Sequence, residues 1–253
     1  MNIISGIVAI AALIALAAAV VWASGRNELA SAPHSPAVLP EQPIPLKKSR
    51  LAMPDGARMR VVVLGDPYNP TADVPPGQTW VDRLPQEMCL DIVQTSADGG
   101  YAMPDTGDPS GSPEGAGVPI DIDATKPQML VVGAAGADDA QSSQQIIGNA
   151  NHTFKALRNA VGAETPIIAV GPVAPPTGDA KAFERVATAV SYSARMFHVD
   201  FIDPVKGQWL TNPEMWTPDG TQLSDAGSAE YTKRMSDELE HMGAARCAPQ
   251  PPG

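Results

Sequence analysis

The stretch Val61-Val62-Val63-Leu64-Gly65-Asp66-Pro67 decides the fold of this chain. Four consecutive apolar residues, three of them β-branched, predict a strand that is buried on both faces. The glycine and aspartate that follow are typical of a tight turn. Pro67 has no hydroxyl and no backbone N–H, so it offers neither a nucleophile nor a hydrogen-bond donor. Any functional interpretation of the chain depends on this position.

The rest of the domain alternates short apolar runs with amphipathic segments. Strands are predicted at 60–64, 90–93, 129–132, 167–170 and 199–202, and helices at 80–88, 140–161, 180–197 and 226–242. This alternation predicts a central five-stranded parallel sheet with helices on both faces. Functional residues in such sheets lie beyond the carboxyl ends of the strands. The segment 96–127 is rich in Gly, Pro, Asp and Ser, and we expect it to be disordered or a loose flap.

The N-terminal segment predicts attachment to a membrane. Residues 3–23 are almost entirely apolar, and about 20 such residues span a bilayer core. We expect an uncleaved anchor within residues 1–26 and an extracytoplasmic domain; a cleaved signal, giving a secreted protein, is the alternative. A Pro-rich tether at 27–57, a folded domain at 58–246 and a tail at 247–253 complete the organisation.

Charge and cysteine usage restrict the functional classes. The chain carries 17 Lys and Arg against 28 Asp and Glu, a net charge of −11, which disfavours nucleic acid as a partner. Cys89 and Cys247 fit one disulfide in an exported protein, while two free thiols are the alternative. Their spacing fits no zinc site. No cofactor is expected.

Four short motifs occur in a fixed order along the predicted strands and helices. They are Gly65-Asp66-Pro67-Tyr68, a glycine at position 99 or 100, Gly136-Ala137-Asp138-Asp139, and Asp219-Gly220-Thr221-Gln222. Together they resemble the Gly-Asp-Ser, glycine, Gly-x-Asn-Asp and Asp-x-x-His blocks of the SGNH (GDSL-like) hydrolases, in the style of exported actinobacterial members. The resemblance covers roughly residues 58–242 and implies a three-layer α/β/α, flavodoxin-like fold.

The resemblance also implies where chemistry would occur. In active members the serine attacks an ester carbonyl, the histidine takes its proton, and the aspartate orients the histidine. Backbone N–H groups and the asparagine amide hold the oxyanion. Here Pro67 replaces the serine, Asp138 replaces the asparagine, and Gln222 replaces the histidine, while Gly100 and Asp219 remain. The resemblance therefore implies a fold that has lost its catalysis.

We expect such a domain to bind a ligand or partner in its degenerate cleft, with envelope glycan, acyl groups or a protein as candidates. Two alternatives remain open: an active esterase or acetyl hydrolase with a relocated hydroxyl nucleophile, and a structural protein of an envelope complex. Four aspartates in these motifs suit Ca²⁺ or Mg²⁺, but turns and helix caps explain them more simply, so no metal is expected. The candidate binding residues are Asp66, Tyr68, Asp138, Asp139, Trp216 and Asp219.

Overall fold

The computed structural model describes residues 51, 57–65, 77–96, 122–133 and 141–247. All of them belong to a compact unit that runs from Gln42 to Gly253. The predicted anchor at 1–26 lies outside the described residues, as do nearly all of the tether and the last residues of the tail. No helix of the described part is long and apolar enough to cross a bilayer.

Five strands form one parallel sheet, as the alternating pattern predicts. Their spatial order is β2-β1-β3-β4-β5, and every neighbouring pair is parallel. Strand β2 continues past the predicted end at Val93 to Ser96. The strands are β1 (Met59–Leu64), β2 (Leu90–Ser96), β3 (Met129–Gly133), β4 (Ile167–Val170) and β5 (Asp200–Ile202).

The four longer helices begin at well-formed caps. Thr79 and Ser142 each cap a helix through a reciprocal capping box, with Asp82 and Gln145 as the third helical residues. One short helix lies inside the segment that the sequence predicts to be disordered or a flap. The helices are α1 (Trp80–Glu87), α2 (Ile122–Thr125), α3 (Ser143–Val161), α4 (Ala180–Met196) and α5 (Asp225–His241), with a 3-10 turn at Pro213–Met215.

Both faces of the sheet are buried, which gives the three-layer α/β/α arrangement. In β1, Val61 and Val63 join a core with the apolar residues of α1 and α5. Val62 joins the opposite core, which α3 and α4 complete. Leu51 is also buried in the first core, although the sequence places it in the tether. The continuous apolar run in β1 therefore reflects a strand with no solvent-facing side.

The strand order creates a switch point between β1 and β3. Leu64 pairs with Val132 at the carboxyl end of these two strands. The chain connections leave in opposite directions there, because β2 lies on one side of β1 and β3 on the other. In open α/β sheets, ligands bind in the crevice outside such a switch point.

A disulfide closes the opposite, amino edge of the sheet. Cys89 precedes β2 directly and is bonded to Cys247, with their Cα atoms 4.7 Å apart. The Cys89 N–H donates to the Ala245 carbonyl at 2.9 Å, and Met88 forms an antiparallel bridge with Arg246. Of the two alternatives that the sequence leaves open, the structure shows the disulfide.

Candidate functional site

The structure describes part of the predicted site. The half that follows α4 and β5 is present, with Trp216, Asp219 and Gln222. The positions that follow β1, β2 and β3 lie outside the described residues, so their predicted roles stay predictions. These positions are Asp66, Pro67, Tyr68, Gly100, Asp138 and Asp139.

Two of these motifs follow strands that are neighbours in the sheet, β1 and β3. Gly65 follows β1 with a φ of +68°, a conformation that glycine adopts without strain. Gly133 ends β3, one residue beyond the Leu64–Val132 pair. The segments that carry Pro67 and Asp138 therefore leave the sheet from adjacent strands.

The described half of the site is a compact turn, residues 216–223, which we call the site turn. Trp216 and Leu223 close it as an antiparallel bridge. Inside it, the Thr217 N–H donates to the Gln222 carbonyl at 2.9 Å, and the Gln222 N–H donates to the Thr217 hydroxyl oxygen at 3.1 Å. Gly220 has a φ of +72° and donates to the Thr217 carbonyl at 2.8 Å. The backbone of the turn is held by its own hydrogen bonds.

Asp219 is an exposed carboxylate that its own turn stabilises. Its Oδ1 accepts hydrogen bonds from the Thr217 hydroxyl at 2.5 Å and from the Thr221 N–H at 3.1 Å. The hydrogen bond from the Thr217 side chain, followed by that from the Thr221 backbone, lowers the pKa of Asp219 below its ordinary value of 3.8. Asp219 is thus ionised at neutral pH.

Gln222 occupies the position of the general base in the SGNH resemblance. Gln222 is half-buried, and among the described residues its buried Oε1 atom has no hydrogen-bond partner. A carboxamide has no titratable nitrogen near neutral pH, so it cannot take a proton from a nucleophile. The described half of the site therefore contains a buried acceptor at the position that the resemblance assigns to the base.

Trp216 lies in the core rather than on the surface. Its side chain is 5% exposed, and its indole N–H donates to the Leu210 carbonyl at 2.8 Å. The neighbouring Trp209 contacts Tyr231 edge-on at a ring distance of 5.4 Å. These contacts anchor the loop between β5 and α5, so packing in the first core holds Trp216, which the sequence analysis gives as a candidate binding residue.

Two glycines allow close packing in and beside the site turn. A Cβ at Gly220 would lie 3.3 Å from the Thr177 hydroxyl, which belongs to the loop after β4. A Cβ at Gly227, in the first turn of α5, would lie only 1.9 Å from the Met215 carbonyl oxygen. The contact with Thr177 places the site turn beside the β4–α4 loop, at the carboxyl edge of the sheet.

Sequence reasoning did not identify Thr217 or Thr177 as part of this region. Thr217 was detectable, because it begins the sequence Thr217-Pro218-Asp219-Gly220, and Pro-Asp-Gly is typical of a turn. Thr177 lies 42 residues before Asp219 in the sequence, and no local pattern links them. No cluster of three potential metal ligands occurs among the described residues; three of the four aspartates considered for a metal lie outside that range.

Comparison with solved structures identifies the fold as that of the SGNH hydrolases. No family model and no curated protein matches the sequence significantly. A protein described as an SGNH hydrolase from Slackia heliotrinireducens matches with a TM-score of 0.53 at 17% identity, over 72% of this chain and 99% of that one. The order of strands and the two helical layers agree with this class.

Two further structures of similar shape are TesA and Est24. TesA matches with a TM-score of 0.56 at 16% identity, over 72% of this chain and 99% of its own. Est24, a carbohydrate acetylesterase from Sinorhizobium meliloti, matches with a TM-score of 0.52 at 13% identity, over 73% of this chain and all of its own. The predicted α/β fold is confirmed, and at these identities the likeness concerns the fold.

Proposed function

We propose that the protein is a binding module built on the SGNH-hydrolase fold, without ester hydrolase chemistry. Its ligand is an envelope glycan, an acyl group or a protein partner held at the carboxyl edge of the sheet. Its place is outside the cytoplasmic membrane, on an N-terminal anchor. Fold and function are separate matters in this class, so the argument for lost chemistry rests on the site.

The observation that carries the proposal is the glutamine at position 222. It stands where the family reaction needs a histidine base, and its buried Oε1 has no partner in the described part of the chain. Asp219 keeps the position of the orienting carboxylate, but its Oδ1 already accepts two hydrogen bonds within the site turn. An orienting carboxylate without a titratable partner has no role in acyl transfer.

The other two replacements also remove groups that ester hydrolysis requires. Pro67 removes both the nucleophile and the backbone donor that follows β1. Asp138 replaces an amide donor by a group that, once ionised, only accepts hydrogen bonds. Losing one oxyanion donor costs on the order of 10²–10³ in rate. Loss of nucleophile, base and two donors together leaves no route to the family reaction.

Two observations support an extracytoplasmic location. The Cys89–Cys247 disulfide fits an oxidising compartment, because cytosolic thiols are kept reduced. The apolar segment 3–23 has the length of a membrane span. Glycan is a candidate ligand by analogy, since Est24 is a carbohydrate acetylesterase.

The first test is hydrolysis of short-chain aryl esters by the purified full chain, together with labelling by a fluorophosphonate. We expect no turnover above background and no stoichiometric adduct. An adduct on one serine or threonine, with turnover abolished when that residue is changed to alanine, supports the active-esterase alternative and rejects the proposal.

Restoring the serine gives a second test. Because the base and the asparagine are also replaced, Pro67→Ser alone should remain inactive. The triple variant Pro67→Ser, Asp138→Asn, Gln222→His is the matched comparison. Measurable turnover by Pro67→Ser alone would show that the remaining residues already form a working site, and it would contradict the proposal.

Binding is tested by calorimetry with acetylated and deacetylated cell-wall oligosaccharides, and by co-purification from membranes for a protein partner. Gln222→Ala should weaken whichever interaction is found. Asp91→Asn, which changes an exposed carboxylate at the amino end of β2, is the control and should leave it unchanged. A partner held equally well by both variants would favour a structural role over a cleft-binding one.

A further inference from the structure

The disulfide at the amino edge lies beside an arginine whose position is fixed. Arg58, just before β1, donates from Nε to the Leu90 carbonyl at 2.9 Å and from Nη2 to the Pro85 carbonyl at 2.5 Å. Its third nitrogen, Nη1, is 3.7 Å from Cys247 Sγ, within hydrogen-bonding distance for sulfur. The guanidinium therefore faces one sulfur of the pair.

A second cation of the described residues in this region is already paired with carboxylates. Arg246, the neighbour of Cys247, forms ion pairs with Glu87 at 3.4 Å, Asp237 at 2.6 Å and Glu240 at 2.7 Å. Three carboxylates outweigh its single charge. Among the described residues, Arg58 is the cation whose guanidinium contacts Cys247 Sγ, and this contact favours negative charge on that sulfur.

We propose that the Cys89–Cys247 disulfide is a thiol-exchange site with a fixed direction, in which a small-molecule thiol attacks Cys89 and Cys247 leaves. Both cysteines are half-buried rather than enclosed. A thiolate beside a cation is stabilised, and the sulfur that is the better leaving group departs faster. The site takes a low-molecular-weight thiol, and it is separate from the ligand-binding site proposed above.

The exchange balances as two successive displacements. The attacking thiolate forms a bond to Cys89 Sγ, the bond between Cys89 and Cys247 breaks, and the electron pair leaves on Cys247 Sγ beside Arg58. A second thiolate then attacks the mixed disulfide, releases Cys89 as a thiol after protonation, and forms the oxidised small-molecule disulfide. The protein pair is reduced by two electrons, and two small thiols are oxidised to one disulfide.

The test uses reduced glutathione on the folded full chain, followed by acid quenching, alkylation of free thiols and peptide mapping by mass spectrometry. We expect glutathione mainly on Cys89 and the alkyl group mainly on Cys247, with a ratio of about threefold or more. Equal labelling of the two cysteines, glutathione mainly on Cys247, or no exchange by the folded protein would each overturn the proposal.

Two variants test whether the charge of Arg58 determines which cysteine is attacked. Arg58→Gln removes the charge and should bring the labelling ratio close to one, whereas Arg58→Lys keeps a charge and should preserve a preference for Cys89. Because Arg58 also holds two carbonyls, each variant is first compared with the wild type by circular dichroism. If Arg58→Gln does not fold, an unchanged ratio across a salt series on the wild type overturns the proposal, since screening should weaken the effect of the charge.

Discussion

Asp219 and its neighbours show how a single carboxylate can hold a turn together. The carboxylate is bound by the Thr217 hydroxyl and the Thr221 N–H, so it stabilises the site turn. An aspartate bonded in this way acts as a turn residue. The sequence predicts a motif at this residue, whereas the hydrogen bonds that hold its carboxylate are visible only in the folded turn.

The lowered pKa of Asp219 predicts the pH range over which it stabilises the fold. Because its folded pKa lies below the ordinary value of 3.8, its contribution is present above about pH 4 and is lost as pH falls through the folded pKa. Carbon-detected NMR titration of its carboxyl should give a midpoint below 3.8. Thr217→Val should raise that midpoint, and an unchanged midpoint would contradict the assigned cause.

Gly227 gives a residue-scale prediction with a matched control. A Cβ would lie 1.9 Å from the Met215 carbonyl oxygen, so Gly227→Ala must displace the 3-10 turn or the start of α5. We expect it to lower the free energy of unfolding by about 3 kcal/mol.

Gly148 is the control for this substitution. It is exposed inside α3, and a Cβ there meets nothing within 4 Å. Gly148→Ala should stabilise by about 0.5–1 kcal/mol, because alanine favours a helix interior. Urea unfolding measures both variants. Equal effects would show that helix propensity, and not contact with Met215, determines the result at Gly227.

The stability of helix α1 depends more on the cap of its first turn than on its length. It has eight residues and contains Pro85, which cannot donate a hydrogen bond to the preceding turn. Thr79 compensates through the capping box with Asp82, whose Oδ2 also accepts from the Gly77 N–H at 3.1 Å. The buried side chains Trp80 and Leu84 then pack the helix onto the first core.

Removal of this cap should destabilise the domain. Thr79→Ala loses the acceptor for the Asp82 N–H, and we expect a loss of about 1 kcal/mol in the free energy of unfolding. Thr79→Ser keeps the hydroxyl and should retain most of the stability. If chemical denaturation gives the same loss for both, packing of the threonine methyl rather than capping is responsible.

Elements with a strong apolar pattern were predictable, and weakly patterned ones were not. The valine run of β1 and the buried face of α3, with Ile146 and Phe154, appear where the sequence places them. The end of β2 was missed because its last residues are polar, and α2 was missed because four residues give no helical period. Pairing with β1 extends β2 as far as Ser96, a long-range effect that sequence periodicity does not contain.

At the scale of the whole molecule, strand order and disulfide pairing could be determined only from the structure. Parallel strands and α/β/α layers follow from the alternating pattern, whereas two cysteines 158 residues apart leave bonded and free states equally open. The site turn was predictable as a motif. Its position beside Thr177 depends on the order of β4 and β5 in the sheet, which no local sequence pattern specifies.

The disulfide should account for a large share of the stability. It links cysteines 158 residues apart and restricts the unfolded chain. Loss of such a crosslink lowers the free energy of unfolding by about 2–5 kcal/mol. The double variant Cys89→Ser, Cys247→Ser should therefore unfold at a lower urea concentration than the oxidised wild type. The wild type in reductant should approach the double variant, and identical midpoints for all three would contradict this expectation.

The position of this bond has a consequence for resistance to proteases. Between Cys89 and Cys247 the polypeptide is a covalently closed ring that contains four of the five strands. A single cut anywhere within that ring leaves both fragments joined, so a nicked molecule keeps its full mass under non-reducing conditions and separates only after reduction. A single proteolytic cut within the ring would then alter the chain locally without releasing part of the domain.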